Sequence, residues 1–258
     1  MDNELNASKR YYSKFNFKTY LQRIKNPAII CVGSRGQGKS VLIKELIYRF
    51  SDILSGIIIS YTEKYEDYFS EFFPKSFIYD KFSTELFEKV FERQRKLKAK
   101  QKTHHEIDTR ILMVMDDCLA HKADWKNDSE FDTLLMDGRH LDTTFILGMQ
   151  YPVSIKAESR SNFDLVILFY TNKPDIRMRY NKYWCGLFSK QKDFDKVFSE
   201  LTDDHSMMII MSRGQESNDI RDQLFWYSVD LPKLTEATQN FMFGGPQLKR
   251  FHKYNGRK

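Results

Sequence analysis

Residues 33–40 read Gly-Ser-Arg-Gly-Gln-Gly-Lys-Ser, set between the apolar run Ala-Ile-Ile-Cys-Val (28–32) and an amphipathic stretch, residues 39–50. A glycine, four residues, then Gly-Lys-Ser, with a strand before and a helix after, is the phosphate-binding loop in its required setting. Gly33, Gly36 and Gly38 let backbone N–H groups turn inward around phosphates, and the N-terminus of the following helix adds partial positive charge. Ser34, Arg35 and Gln37 complete the loop. Lys39 is expected to reach the β- and γ-phosphates, and the Ser40 hydroxyl to sit on Mg²⁺.

The loop fixes one strand and one helix, and the remaining chain supplies more of both. Continuous apolar runs recur at 28–32, 56–60, 111–115, 144–149, 165–170 and 207–212. Runs without alternation suit strands covered on both faces, as in a parallel sheet. Helical patterns lie between them, at 39–50, 83–102, 128–138 and 191–201. This alternation predicts an α/β fold, a mostly parallel sheet between helices. We divide the chain into an N-terminal extension (1–26) packing on or near the core, a P-loop domain (27–232) and a C-terminal extension with a basic tail (233–258). The longest apolar runs fall far short of the roughly 20 residues of a membrane-spanning helix. No apolar signal segment opens the sequence. Cys31, Cys118 and Cys185 are expected to be buried, reduced thiols. No metal-ligand spacing exists among them, and the pair His104–His105 is expected at the surface.

A magnesium–phosphate site needs carboxylates as well as a loop. The run Ile-Leu-Met-Val-Met ends in Asp116-Asp117. Adjacent acids at a strand's C-terminal end are costly unless a cation or water faces them. Ligands of parallel sheets bind at that edge. Asp116 is therefore expected to hold Mg²⁺ through its water shell. Asp117, pointing the other way along the pleat, is expected to orient and polarise the attacking water. The run 144–149 ends in Gln150 just before a proline stops the strand. If the strands are parallel, this amide reaches the same edge, where it can donate to a γ-phosphate oxygen and accept from the water. The alternative is an amide that only caps the strand end. Asn172-Lys173-Pro174-Asp175 resembles the guanine-reading motif of GTPases, but Asp116-Asp117-Cys118-Leu119-Ala120 lacks the glycine those proteins carry, so 172–175 reads as a turn.

Together, "GSRGQGKS", "ILMVMDD", "DGRHLDTTFILGMQY" and "RSNFDLVILF" resemble the genome-packaging ATPases of large eukaryotic double-stranded DNA viruses and their satellite viruses. These form the poxvirus-type branch of the FtsK–HerA superfamily, with a P-loop core of the ASCE, RecA-like kind. The resemblance spans residues 25 to 215, and Asp117 departs from it, because wider motor families often carry Glu there.

The resemblance implies an ATPase using ATP and Mg²⁺, working as a homo-oligomeric ring of five or six copies that pumps duplex DNA without regard to sequence. It implies a viral capsid or portal-like vertex as partner, and the host cytoplasm (viral factories) and the virion as location. It also implies an arginine supplied by a neighbouring subunit. Arg139 in "GRHLD" is the first candidate and Arg160 in "ESRSNFD" the second. For DNA, residues 91–102 carry Arg93, Arg95, Lys96, Lys98, Lys100 and Lys102 against Glu92, on two adjoining faces of a helix. Such a surface neutralises phosphates without reading bases, although a solvated basic helix looks the same. The aromatics of 181–188 are expected to fill the core. A nucleotide kinase, a GTP-driven switch and a capsid scaffold with a vestigial nucleotide site remain the alternatives.

Overall fold

The computed structural model describes residues 6–118, 125–152, 155–213 and 219–245. The described strands are β1 (Ala28–Val32), β2 (Gly56–Ser60), β3 (Ile78–Tyr79), β4 (Ile111–Asp116), β5 (Thr143–Met149), β6 (Leu165–Leu168), β7 (Met207–Met211) and β8 (Leu224–Tyr227). They form one sheet in the order β3-β2-β4-β5-β1-β6-β7-β8. Pairing is parallel from β3 to β6, and antiparallel for β6–β7 and β7–β8. The run 207–212 is thus the exception to the expected direction. A continuous apolar run reports cover on both faces, and it says nothing of which way the strand points.

Cover on both faces is what the helices provide. In chain order they are α1 (Ala7–Tyr11), α2 (Phe17–Arg23), α3 (Lys39–Arg49), α4 (Glu63–Glu66), α5 (Thr84–Gln101), α6 (Ser129–Asp137), α7 (Ala157–Arg160), α8 (Pro174–Tyr180), α9 (Gln191–Leu201) and α10 (Leu231–Thr238). On one face, Ile29, Cys31, Val114 and Ile146 pack with Leu42, Ile43, Leu46 and Ile47 of α3. On the other, Ile30, Val32, Met113 and Leu147 pack with Phe87 and Phe91 of α5, Leu134 of α6 and Phe198 of α9. Spacings of three and four along α3 place its four apolar residues on one stripe, which fixes that helix against the sheet. All three cysteines are buried and free, and Trp184 is buried in the second core.

Segments at both ends pack on this core. The backbone of Phe15 donates to Trp226 O at 2.8 Å and that of Trp226 to Ser13 O at 3.3 Å, so the N-terminal segment covers the β8 edge. An uncovered edge would offer unpaired N–H and C=O groups to other chains. At the other end Phe243 stacks on Phe73 with ring centroids 4.7 Å apart. The basic tail after residue 245 lies outside the described residues. No described helix is long and apolar enough to cross a membrane.

Candidate nucleotide site

The order β4-β5-β1 places three strand ends side by side, and each carries one piece of the expected site. Beyond β1, Gly36 and Gly38 have φ of +80° and +87°, the left-handed region that glycine enters without strain. Gly33 is held for a different reason: a Cβ there would lie 2.5 Å from Cβ of Phe169. Lys39 opens α3, is buried, and its Nζ donates to Ser34 O at 3.0 Å. Burial lowers its ammonium pKa, while Asp116 and Asp117 pull it upward.

At the end of β4, Asp116 is 4 % exposed, and the Ser40 hydroxyl donates to its Oδ2 at 3.2 Å. Its Oδ1 is buried without a hydrogen-bond partner. Gly148 leaves room for that oxygen, since a Cβ at 148 would come within 2.1 Å of it. Burial pushes the carboxyl up to about 6, Lys39 opposes the rise, and Asp117 adds to it. An orphaned carboxylate oxygen beside a serine hydroxyl fits Mg²⁺, which takes one or two protein oxygens and leaves other positions to water and phosphates. Among the described residues no cluster of three or more His, Cys, Asp or Glu side chains could hold a metal.

Asp117 departs from its expected placement. The strand ends at Asp116, and Asp117 turns with φ +52°, so the pleat does not decide its direction. The turn instead brings its Oδ1 to accept from Gln150 Nε2, beyond the end of β5. Asp116, Asp117, Gln150, Lys39 and Ser40 line one cavity of about 300 Å³, with Arg35, Gly36 and Gly38. Gln37 faces away from it, into a neighbouring cavity. Two polar lining residues were missed from the sequence, Thr62 and Glu66. They follow β2, whose buried run gives way to Tyr61-Thr62-Glu63, and that polar break at the same sheet edge was the available signal. Glu63 holds the segment by accepting from the backbone N–H of Phe69 and Ser70 at 2.9 and 2.7 Å.

The two arginine candidates lie elsewhere. Arg139 precedes β5, at the opposite sheet edge, with Nη1 3.6 Å from Oδ1 of Asp164. Seven strand residues at about 3.3 Å each put it roughly 20 Å from Gln150. Arg213, missed from the sequence, approaches the same oxygen at 3.5 Å. Arg160 ends α7, donates from Nε to Ile155 O at 3.2 Å, and its guanidinium carbon sits 4.6 Å from the Tyr183 ring centroid. Neither candidate lines its own subunit's cavity. Residues 172–175 are not a turn: Asn172 and Lys173 are irregular backbone, with Lys173 the extended N-cap, and Pro174 and Asp175 open α8.

Two predictions arise here. Lys39→Ala removes a buried cation facing the phosphates, a loss of about 2–5 kcal/mol in comparable pairs. Affinity for Mg·ATP, read by calorimetry, is expected to fall by at least about 30-fold. For Asp116, a folded-state pKa raised above the unfolded value near 4 means that the uncharged acid favours folding at low pH. That contribution is lost as pH rises through about 6. In the metal-free protein Asp116→Asn is therefore expected to raise stability by about 2–3 kcal/mol at pH 8 relative to its effect at pH 4. Urea unfolding at both values measures it, and equal effects would contradict the burial argument.

No protein-family model matches the chain. An uncharacterized protein of Acanthamoeba polyphaga mimivirus is 30% identical over 252 residues, covering 94% of this chain and 84% of that protein. An uncharacterized protein of Invertebrate iridescent virus 6 is 26% identical over 240 residues, covering 92% and 88%. Among solved structures, the genome-packaging NTPase B204 of Sulfolobus turreted icosahedral virus 2 with ATP-gammaS superposes with a TM-score of 0.54 at 20% identity, covering 78% of this chain and 96% of that one. The pCW3 conjugation coupling protein TcpA with ATPgS gives 0.57 at 14% identity, covering 88% and 73%. The protein belongs to the family of large-DNA-virus proteins that includes its mimivirus relative, built on a P-loop NTPase fold.

Proposed function

We propose that the protein is an ATP-hydrolysing motor that drives double-stranded DNA into a viral capsid, acting as a homo-oligomeric ring. The observation that carries this reading is the meeting of Lys39, Ser40, Asp116, Asp117 and Gln150 in one cavity at the ends of three adjacent strands. The backbone of the loop and Lys39 would hold the phosphates, and Ser40 and Asp116 would hold Mg²⁺, which would supply charge screening for the transferring group. Asp117 takes the proton of the attacking water. Gln150, tied to Asp117, contacts both that water and the γ-phosphate, so loss of the phosphate changes the hydrogen bonding at the tip of β5. Arg139, or second Arg160, acts on the next subunit's nucleotide, because neither reaches its own. The setting is the viral factory in host cytoplasm and the virion.

DNA is assigned to the basic helix α5. Its exposed Lys96 pairs with Glu92 at 2.5 Å, and Lys98 with Asp142 at 2.7 Å. The Lys96–Glu92 pair is solvent-exposed and screened by salt, so a DNA phosphate can replace its acid. Lys98 also lines a cavity of about 960 Å³ at the edge opposite the nucleotide, together with Lys18, Lys25 and Arg110. The test is ATP hydrolysis with and without long duplex DNA across protein concentration. Steep dependence on concentration with stimulation by DNA supports the ring motor. Hydrolysis proportional to protein and indifferent to DNA contradicts it, and phosphate transfer to a nucleoside monophosphate would favour a kinase.

A further inference from the structure

A second cavity, about 430 Å³, lies on the other side of the phosphate loop, and no function has yet been given to it. The loop divides the two spaces: Arg35, Gly36, Gly38, Lys39 and Ser40 face the first, and Gln37 faces the second. We propose that the second cavity holds the base and ribose of the nucleotide whose phosphates occupy the first, with the Tyr170 ring stacking on the base. This rests on the nucleotide reading above and deepens it.

Topology brings the walls together. β1 has β5 and β4 on one side, carrying Gln150 and the two acids, and β6 and β7 on the other. A nucleotide with its γ-phosphate among the acids therefore extends its nucleoside end toward β6 and β7. Because β7 is antiparallel, it begins at the edge where β6 ends. Leu168 pairs with Met208, which sets Tyr170 level with Ser206. Between α9 and β7 the chain reverses through Asp203–Ser206. Asp204 and His205 have φ of +51° and +55°, and the Ser206 N–H donates to Asp203 O at 3.1 Å, the pattern of a type I′ turn. Lys9 ties this turn down by donating to Asp203 O at 2.8 Å and Ser206 Oγ at 2.9 Å. The close approach of Gly33 to Phe169 locks the same wall to the loop.

The chemistry of the walls suits a nucleoside and not a second phosphate. Tyr170 is 42% exposed although it follows a wholly buried strand. Arg177, anchored by donating to Thr171 O at 2.7 Å and Ser199 Oγ at 2.8 Å, places its guanidinium carbon 5.8 Å from the Tyr170 ring centroid. That contact fixes the ring while leaving aromatic surface free. The polar wall carries two carboxylates, Asp203 and Asp204, beside the mixed donor–acceptor groups of Gln37, Ser199, Thr202 and His205. Carboxylates repel phosphate and accept from ribose hydroxyls or an exocyclic amine.

The experiment measures, in Mg²⁺ buffer and on the full chain, affinity for ATP and for inorganic tripolyphosphate, which has no nucleoside. Base–aromatic stacking predicts that Tyr170→Ala weakens ATP by roughly 10- to 100-fold. Tripolyphosphate binding should stay within about twofold, and Tyr170→Phe should restore ATP binding, since it keeps the ring. Unchanged ATP affinity in Tyr170→Ala, or equal weakening of both ligands, overturns the assignment. Wild-type protein that binds tripolyphosphate as tightly as ATP also overturns it, with the phosphate site intact. Binding of neither ligand would instead sink the nucleotide reading, and this inference with it.

Discussion

Arg139→Ala is expected to lower the ATPase rate of the assembled ring by about 10³–10⁵-fold, the range for a guanidinium that acts on a neighbour's transferring phosphate. Nucleotide affinity of the isolated subunit should not change, because Arg139 lies at the sheet edge away from its own cavity. The substitution should also leave the fold intact. Asp164 keeps its hydrogen bond from the Ala28 N–H at 2.8 Å and its approach from Arg213. The lost ion pair is long, at 3.6 Å, and Arg213 still faces the same Asp164 oxygen. The diagnostic is mixing. If the arginine acts across the interface, mutant subunits should depress activity beyond their fraction, because each disables a neighbour's site. Loss in simple proportion to the mutant fraction would show that it does not, and Arg160 becomes the next candidate.

Asp117→Asn is expected to reduce turnover by about 10²–10⁴-fold, the usual contribution of a positioned general base, with binding of Mg·ATP changed only a few-fold. The replacement is suited to the position. Asparagine tolerates the left-handed conformation found at φ +52°. Its side-chain oxygen can still accept from Gln150, so what is removed is the charge and the proton affinity. Loss of binding, measured by calorimetry, would instead give Asp117 a part in holding the metal.

Much of this arrangement was legible in the sequence, for reasons that also explain the rest. The six apolar runs correspond to β1, β2, β4, β5, β6 and β7, because buried strands must be apolar throughout whichever neighbour they pair with. The same property hid the reversal of β7. β3 has two residues, too short to carry a period, and so it was invisible. The acid pair and Gln150 were legible because polar groups that close a buried strand need a partner at that edge. The direction of Asp117 was not, because a positive φ at a non-glycine residue follows from its tertiary surroundings and leaves no local mark. Arg213 was missed because what makes it notable is a shared carboxylate 49 residues away in the chain, Asp164.

The most direct test is the structure of the protein with Mg²⁺ and a non-hydrolysable ATP analogue. The expected result has the triphosphate wrapped by residues 33–40 and the metal beside Ser40 and the free oxygen of Asp116. The Gln150 amide and Asp117 carboxylate should flank the terminal phosphate. A metal bound away from Asp116, or a terminal phosphate beyond reach of Gln150, would contradict the convergence of the three strand ends on one ligand.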